Sequence, residues 1–442
     1  MPLIPLSTNA SAPLRQHLLD IIHGGIAAAA GPRLVTRALE DASIVAPLKG
    51  QRVTLIAAGK AAAPMASAFL RAWPSGARSG LVAGTVRGDD LGSLEWFAVG
   101  HPLPNEHSAA AGRQALAIAG RLTPADVLMV LLSGGASAAL AVPVEGLTLA
   151  DKVGATEALL RGGVAIGEVN CVRKHLSAIK GGRLAAATAA NVVTLAISDV
   201  VGPVPDDPAV IGSGPTTADP TCFADALRVA DASGVGAAFP PAARAALERG
   251  RRGAVAETPK PGDARLERSR VHVIGSRLDA VAGAAETAAA HGYHVTIVDQ
   301  PVVGEAKRAG EAHVKEVARI AYDLPRPACI VSAGETTVRV TGSGRGGRNQ
   351  EFALGAAHAL TRRFETAALA SIGTDGVDGP TDAAGAVVDT TSLDRAAALG
   401  LHAADHYLEA NDTYAFFDPL DGLVRLGPTE TNVGDLQIVL IG

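Results

Sequence analysis

Residues 126–137 read DVLMVLLSGGAS: six consecutive apolar side chains, then a serine, two glycines and a second small polar residue. A short apolar run closed by a glycine pair is the pattern of a strand buried on both faces that ends in a tight turn. The uncharged stretch 127–144 is long enough to span a membrane. The Gly134-Gly135 break in its middle predicts a strand, a loop and a helix instead. The same grammar appears at 52–60 (RVTLIAAGK) and at 191–199 (NVVTLAISD), each an apolar run that stops at a glycine or an acid.

Working outward from these runs, helical patterns over 61–70 and 108–122 (the latter with serine as cap) and strand-like pieces at 80–86 and 94–99 alternate with them. Such alternation predicts a three-layer αβα domain with a mostly parallel sheet. Residues 234–270 change in character, being rich in proline, arginine and alanine, and read as a surface stretch joining two domains. The alternation then resumes with VHVIGS, YHVTIVD, ACIVSAG and AALASIG, and the tail holds short strand-like pieces. The expectation is an α/β chain with a Rossmann-like N-terminal domain over 1–250 and a smaller C-terminal α/β domain over 251–442, with a mixed sheet and the active site in the cleft between them.

Composition bounds the function. The chain has 442 residues, 48% apolar and 19% charged, with a net charge of −5 and 3% aromatic residues. Apolar material suffices for large cores. The interleaved basic and aromatic residues of a nucleic-acid surface are missing. Cys171, Cys222 and Cys329 are far apart and form no CxxC, which argues against a zinc ribbon or disulfide framework. The amino-terminal residues lack the basic and apolar segments of a secretion signal, so a cytoplasmic protein with no membrane association is expected. Nothing in the sequence fixes the number of copies, and a homodimer stays open.

Ligands of open α/β sheets bind at the carboxyl ends of strands, and five glycine-rich or acidic turns and one polar-faced helix are candidates for such places. Gly59-Lys60 offers free amides and a point charge to an anion; the plain alternative is a glycine turn with a solvated lysine. Ser133-Gly134-Gly135-Ala136-Ser137 combines backbone that a phosphate can approach with two hydroxyl donors. Residues 166–180 read as one helix with Ile166, Val169, Val172, Leu176 and Ile179 on an apolar face. Asn170, Arg173, Lys174, Ser177 and Lys180 lie on the other, which by spacing alone is a solvated face. Asp199 ends a strand and suits Mg²⁺ or a proton. It precedes a long irregular loop over 202–220, of the kind that carries function. Gly342, Gly344 and Gly347 fit GxGxxG, but the helix that follows opens Arg348-Asn349-Gln350-Glu351, unlike a dinucleotide fingerprint. Arg345 and Arg348 suit clamping of a phosphate or carboxylate. Asp375, Asp378 and Asp382 follow on loops. GxxxxGK[ST], GxSxG and HExxH do not occur.

Taken together, AAGK (57–60), GHPLP (100–104), LSGGAS (132–137), VRKHLSAIKGGR (172–183), ISDVVGPVPDDPAVIGSGPTTADP (197–220), SAGETTV (332–338), GSGRGGRNQE (342–351), GTDGVDGP (373–380) and residues 427–435 resemble the type II glycerate 2-kinases. Those enzymes carry a C-terminal MOFRL domain, and many relatives are also labelled hydroxypyruvate reductase. The resemblance covers nearly the whole chain. It implies ATP, Mg²⁺ and (R)-glycerate, phosphorylated at its 2-hydroxyl. It also implies Lys60 and Arg348 as a catalytic pair with Asp199 beside them. Gly59, Ser133, Gly134, Gly135, Ser137, Lys174, Ser276, Glu335 and Arg345 would contact nucleotide or phosphate, and Asp199 and Asp375 would hold the metal. The chain departs from the family pattern at Arg277, at Pro203 and at Gly434, where the family commonly has asparagine, aspartate and asparagine.

A second reaction class and a non-catalytic role compete. A nicotinamide-dependent reductase needs GxGxxG early in a βαβ unit, whereas the match here is late and arginine-rich. A non-catalytic sugar-acid binder would use Lys60, Lys174, Arg345 and Arg348 for binding alone.

Overall fold

A computed structural model of the chain describes residues 11–73, 77–88 and 90–442. The first residues, where the absence of a secretion signal was read, lie partly outside this range. The chain forms two compact units: residues 31–275, and residues 1–30 together with 276–442.

The unit over 31–275 is built on a six-stranded sheet. Its strands are β1 (Arg52–Ala58), β2 (Ala77–Gly84), β3 (Glu95–Ala98), β4 (Asp126–Leu132), β5 (Asn191–Ile197) and β6 (Ser269–Gly275), in the order β3-β2-β1-β4-β5-β6. Every pairing is parallel. The apolar run at 127–132 lies in β4, and all seven residues of that strand are buried. Such a strand needs helices on both faces, because its backbone polar groups are satisfied only within the sheet. Ala58 is level with Leu132, and Leu132 with Ala196, so β1, β4 and β5 end together and their turns emerge side by side.

The second unit holds β7 (His294–Ile297), β8 (Val302–Glu305), β9 (Ala328–Thr337), β10 (Ala367–Gly373), β11 (Gly385–Asp389), β12 (Leu423–Val424) and β13 (Asp435–Ile441). The order is β12-β11-β10-β13-β9-β7, with β8 also on β9. β7 and β8 run parallel to β9, while β10, β11, β12 and β13 pair antiparallel, so this sheet is mixed, as expected. Helices Ala306–Ile320 and Arg348–Arg363 share one core with the sheet. Helices Ser11–Ala28 and Arg277–Ala290 share the other.

The division expected at residue 250 moves. The strand over 269–275 pairs with β5 and closes the first sheet. The proline- and arginine-rich stretch before it is part of that unit: Asp219 N–H bonds the Pro259 carbonyl at 2.9 Å, and Arg183 donates to the Ala256 carbonyl at 3.0 Å. The amino-terminal helix crosses over as well, since Leu18, Ile21 and Ile22 are wholly buried against β9, β10 and β13. Residues 13–38 are apolar and long enough to cross a membrane by composition. They form two separate helices whose Leu18, Ile21, Leu34 and Val35 are fully buried in the two units. The helix at 106–119 is capped by Asn105, and the serine expected as cap, Ser108, supplies the reciprocal half of its capping box.

Candidate active site

In the unit over 31–275, two turns interlock at the ends of β1 and β4. Lys60 N–H bonds the Gly134 carbonyl at 2.8 Å, Ala61 N–H bonds Ser133 Oγ at 3.0 Å, and Ser133 N–H bonds the Ala58 carbonyl at 3.1 Å. Gly59 sits at φ +121°, and a β-carbon there would lie 2.6 Å from the Ser133 carbonyl and 2.9 Å from that of Gly134. Only glycine fits. Gly135, at φ +86°, faces His101, and a β-carbon on it would stand 3.4 Å from Lys60 Cγ. The sequence therefore folds its lysine and both glycine turns into one cradle, and Lys60 remains half-buried at its edge.

Ser137, one turn further on, joins Ser213 Oγ at 3.0 Å, and Ser213 reaches Asn170 Oδ1 at 3.3 Å. This ties the irregular loop after β5 to the cradle. Gly181 and Gly182 N–H groups bond the Ser213 and Gly214 carbonyls, so the loop is fixed along its length. Asp199 is half-buried just beyond the end of β5.

The helix expected over 166–180 ends at His175, and its second face is not solvated. Asn170, Lys174, Ser177 and Lys180 are all buried. Lys174, expected on a phosphate, turns to buried Asp219 at 3.5 Å. That carboxylate also accepts from Thr221 and Thr258, and Lys260 bonds Thr258 at 2.8 Å. Lys174 thus anchors the stretch over 219–260. Lys180 donates to the carbonyls of Ser137 at 2.7 Å and Gly212 at 3.3 Å. Beside it lies a cavity of about 360 Å³ whose wall includes His101, Gly135, Ser137, Lys152 and Arg173. Burial, then the Arg173 charge, holds the Lys152 ammonium down to about 7. Burial, followed by Lys152 and Arg173, pulls Lys180 well below the ordinary lysine value. Sequence reading did not select Lys152, because a lone lysine in a helical pattern carries no signal.

In the other unit, polar groups converge where β9, β10 and β13 meet, with Gly334 opposite Asp435 and Asp435 opposite Gly373. Arg348 begins the helix over 348–363. Its Nε lies 2.9 Å from Asp435 Oδ2 and its guanidinium 2.9 Å from Glu335 Oε1. Burial opposes the arginine's charge, but Asp435 and Glu335 outweigh it and hold the group above the ordinary arginine value. Asp435 is fully buried and also accepts from Asn349 Nδ2 at 3.0 Å. Asp378 receives the Asn349 and Gln350 backbone amides at 3.0 and 2.9 Å, which caps the helix start. Burial nevertheless pushes its carboxyl up to about 6.

The GxGxxG glycines serve packing. β-Carbons on Gly342 and Gly344 would collide with Ala410 and Asp412, and one on Gly347 with Asp378. Asn411 Oδ1 accepts the Thr341 and Gly342 amides at 2.7 and 2.8 Å, which seats the loop. Arg345 lies over the Tyr414 ring at 4.1 Å and pairs with Asp382 at 3.6 Å. Ser276 caps the helix at 277–290, with Asp279 completing the capping box. Arg277 donates to the Asp299 carbonyl at 3.0 Å. Gly434 takes φ +86°, and a β-carbon would stand 2.7 Å from the Gly334 carbonyl, so glycine fits this position with less crowding than asparagine.

Asp375 is half-buried after β10, and its Oδ1 accepts the Val377 amide at 3.1 Å. Among the described residues no three acidic, histidine or cysteine side chains gather as a metal site. Asp199 and Asp375 stand in separate units.

Residues 17–248 match the family described as Domain of unknown function (DUF4147), and residues 328–435 match the MOFRL family. The chain is 37% identical over 435 residues to a D-glycerate 2-kinase of Thermotoga maritima, covering 97% of this chain and 98% of the relative. It is 43% identical over 400 residues to an Agrobacterium vitis protein named "Putative hydroxypyruvate reductase", covering 88% and 87%. The fold superposes on the crystal structure of a glycerate kinase from Thermotoga maritima with a TM-score of 0.81 at 37% identity, covering 97% of this chain and 100% of the other.

Proposed function

This chain belongs to the glycerate 2-kinase family, and from that premise we propose that it transfers the γ-phosphoryl group of ATP to the 2-hydroxyl of (R)-glycerate, releasing 2-phosphoglycerate and ADP. The observation that carries the reading is the cradle at the ends of β1 and β4, where Gly59, Ser133, Gly134 and Gly135 surround Lys60. Phosphoryl transfer asks little covalent chemistry of a protein and much positioning and charge. A lysine held against a glycine nest supplies both.

In this reading Lys60 neutralises charge on the transferring group, and Ser133, Ser137 and the Gly134 and Gly135 amides orient its oxygens. Arg348, fixed by Glu335 and Asp435, contributes a planar cation to the same chemistry. Asp199 accepts the proton of the 2-hydroxyl as the oxygen–phosphorus bond forms and the β–γ bridge breaks. Mg²⁺ would supply positive charge against that of the phosphates, with Asp199 and Asp375 as its candidate carboxylates. A cytoplasmic location, where ATP is supplied, accords with this reading. A reductase is disfavoured because the GxGxxG glycines are occupied by contacts with Ala410, Asp412 and Asp378.

The test is a coupled assay on purified protein. D-Glycerate with Mg-ATP is expected to release ADP, while hydroxypyruvate with NADH is expected to leave absorbance unchanged. NADH oxidation without ADP release would reverse the assignment.

A further inference from the structure

The cavity beside Ser137 is lined by Lys152 and Arg173, and among the described residues neither forms an ion pair. Lys152 is 6% exposed and Lys180 1% exposed. Among the described residues the Lys152 side chain engages no hydrogen-bond partner, and none of Lys152, Arg173 and Lys180 is ion-paired. Arg173 bonds only the Asn170 amide oxygen, at 3.4 Å, and Lys180 only backbone carbonyls. The acid on the cavity wall, Glu157, is engaged by Arg161 at 3.0 Å. Buried like charges without counter-charges are costly, and the cost is removed when an anion enters.

We propose that this cavity is the subsite for the carboxylate of the acceptor, with Lys152 and Arg173 as its cationic wall; the assignment rests on the phosphotransfer reading above. The shape supports it. Pro102, Leu103, Ala138, Ala141 and Val153 add apolar wall on which a short carbon chain can pack. Gly135 belongs both to this cavity and to the Lys60 cradle. A small 2-hydroxy acid with its carboxylate on Lys152 and Arg173 therefore presents its other end toward Gly135 and Lys60, where the phosphoryl group is received. Arginine suits a carboxylate because its fork matches both oxygens. Lys180 acts from behind, holding Ser137 and Gly212 in place through their carbonyls. The class of acceptor follows: short hydroxy-carboxylates are accepted, and glycerol, which lacks the charge, is refused.

The phosphate tail of ATP is the other source of such an anion, and the experiment separates the two. Steady-state kinetics are measured on wild type, Lys152→Met and Arg173→Gln, with ADP release as readout. Thermal shifts by D-glycerate without nucleotide are recorded on each. The expectation is a KM for glycerate raised at least about tenfold in both variants, the scale of one lost charged hydrogen bond, with the KM for ATP within about twofold. The shift caused by glycerate alone should vanish in both. A rise in the KM for ATP in place of that for glycerate would assign the cavity to nucleotide and overturn the proposal. Unchanged constants, or a thermal shift retained in the variants, would overturn it too. Lys152→Met keeps side-chain length and removes a buried charge, and Arg173→Gln is a second, half-buried position should the first misfold. If wild type releases no ADP with glycerate, the phosphotransfer reading fails by itself, and the thermal shifts still report whether a carboxylate binds here.

Discussion

Arg348 and Asp435 meet at 2.9 Å, the arginine at the first residue of its helix and the aspartate fully buried at the start of the central strand of its sheet. The pair fixes where a cation stands, and it makes each partner necessary to the other. Arg348→Ala should cost about 3–5 kcal/mol of stability, because Asp435 is left charged and buried. Adding Asp435→Asn should recover much of that loss in a urea titration while activity stays low. If the double variant regains normal kcat, the arginine has no part in catalysis. Arg348→Lys should restore little activity, because an ammonium cannot reproduce two contacts in one plane.

Lys60→Ala should behave differently. Lys60 sits half-exposed on the cradle, so its loss should leave the melting temperature nearly unchanged while lowering kcat by about 10²–10³. Measured with the coupled assay, a normal kcat with a raised KM would make Lys60 a ground-state contact.

Gly59 and Gly163 offer a matched comparison. Both have positive φ, +121° and +71°, but a β-carbon on Gly163 meets nothing within 4 Å. Gly163→Ala should cost about 1 kcal/mol from backbone strain alone. Gly59→Ala should cost at least about 2 kcal/mol, since overpacking adds to strain, and should reduce kcat with it. Equal losses in chemical denaturation would show that the interlock of the two turns is unimportant.

Lys152 ties stability to pH. Its ammonium titrates near 7 in the folded chain against 10.5 ordinarily. Between those values the unfolded chain holds a proton that the folded chain has released, so stability rises with pH across that window. Arg173, Lys180 and Glu157 share its surroundings. In the absence of anions, the wild-type melting temperature should gain on that of Lys152→Met by a few degrees between pH 7 and pH 10, with a constant gap below pH 7. Parallel curves throughout would mean that the amine titrates normally.

Turnover should stop in EDTA and return with Mg²⁺. Full activity in the chelator would remove Asp199 and Asp375 from any metal role.

The strand-end turns were legible in the sequence because a fully buried parallel strand is an apolar run, and the residue that stops it is necessarily where ligands approach. Gly59, Lys60, Ser133 and Gly135 could be found that way. The second face of the helix at 166–175 could not. Its polar spacing is that of a solvated surface, and only the return of residues 209–260 over it buries Lys174 and Lys180. Asp435 has four partners that do not lie near it in sequence: Arg348, Asn349, Thr336 and the strand at Gly334. The boundary between the units was misplaced for the same reason, since the helix at 11–28 finds its apolar surface on residues 281–440.

The 31–275 unit is contiguous, whereas the other is split around it and completed by β13 between β9 and β10. On the ribosome this imposes an order. The inserted unit has all six strands of its sheet once residue 275 has emerged. The helix at 11–28 finds no partner for its apolar face until the helix at 277–290 and the strands after it have been synthesised, about 250 residues later. A nascent chain of this protein therefore exposes Leu18, Ile21 and Ile22 while the whole inserted unit is made, which makes that helix the segment a chaperone would hold.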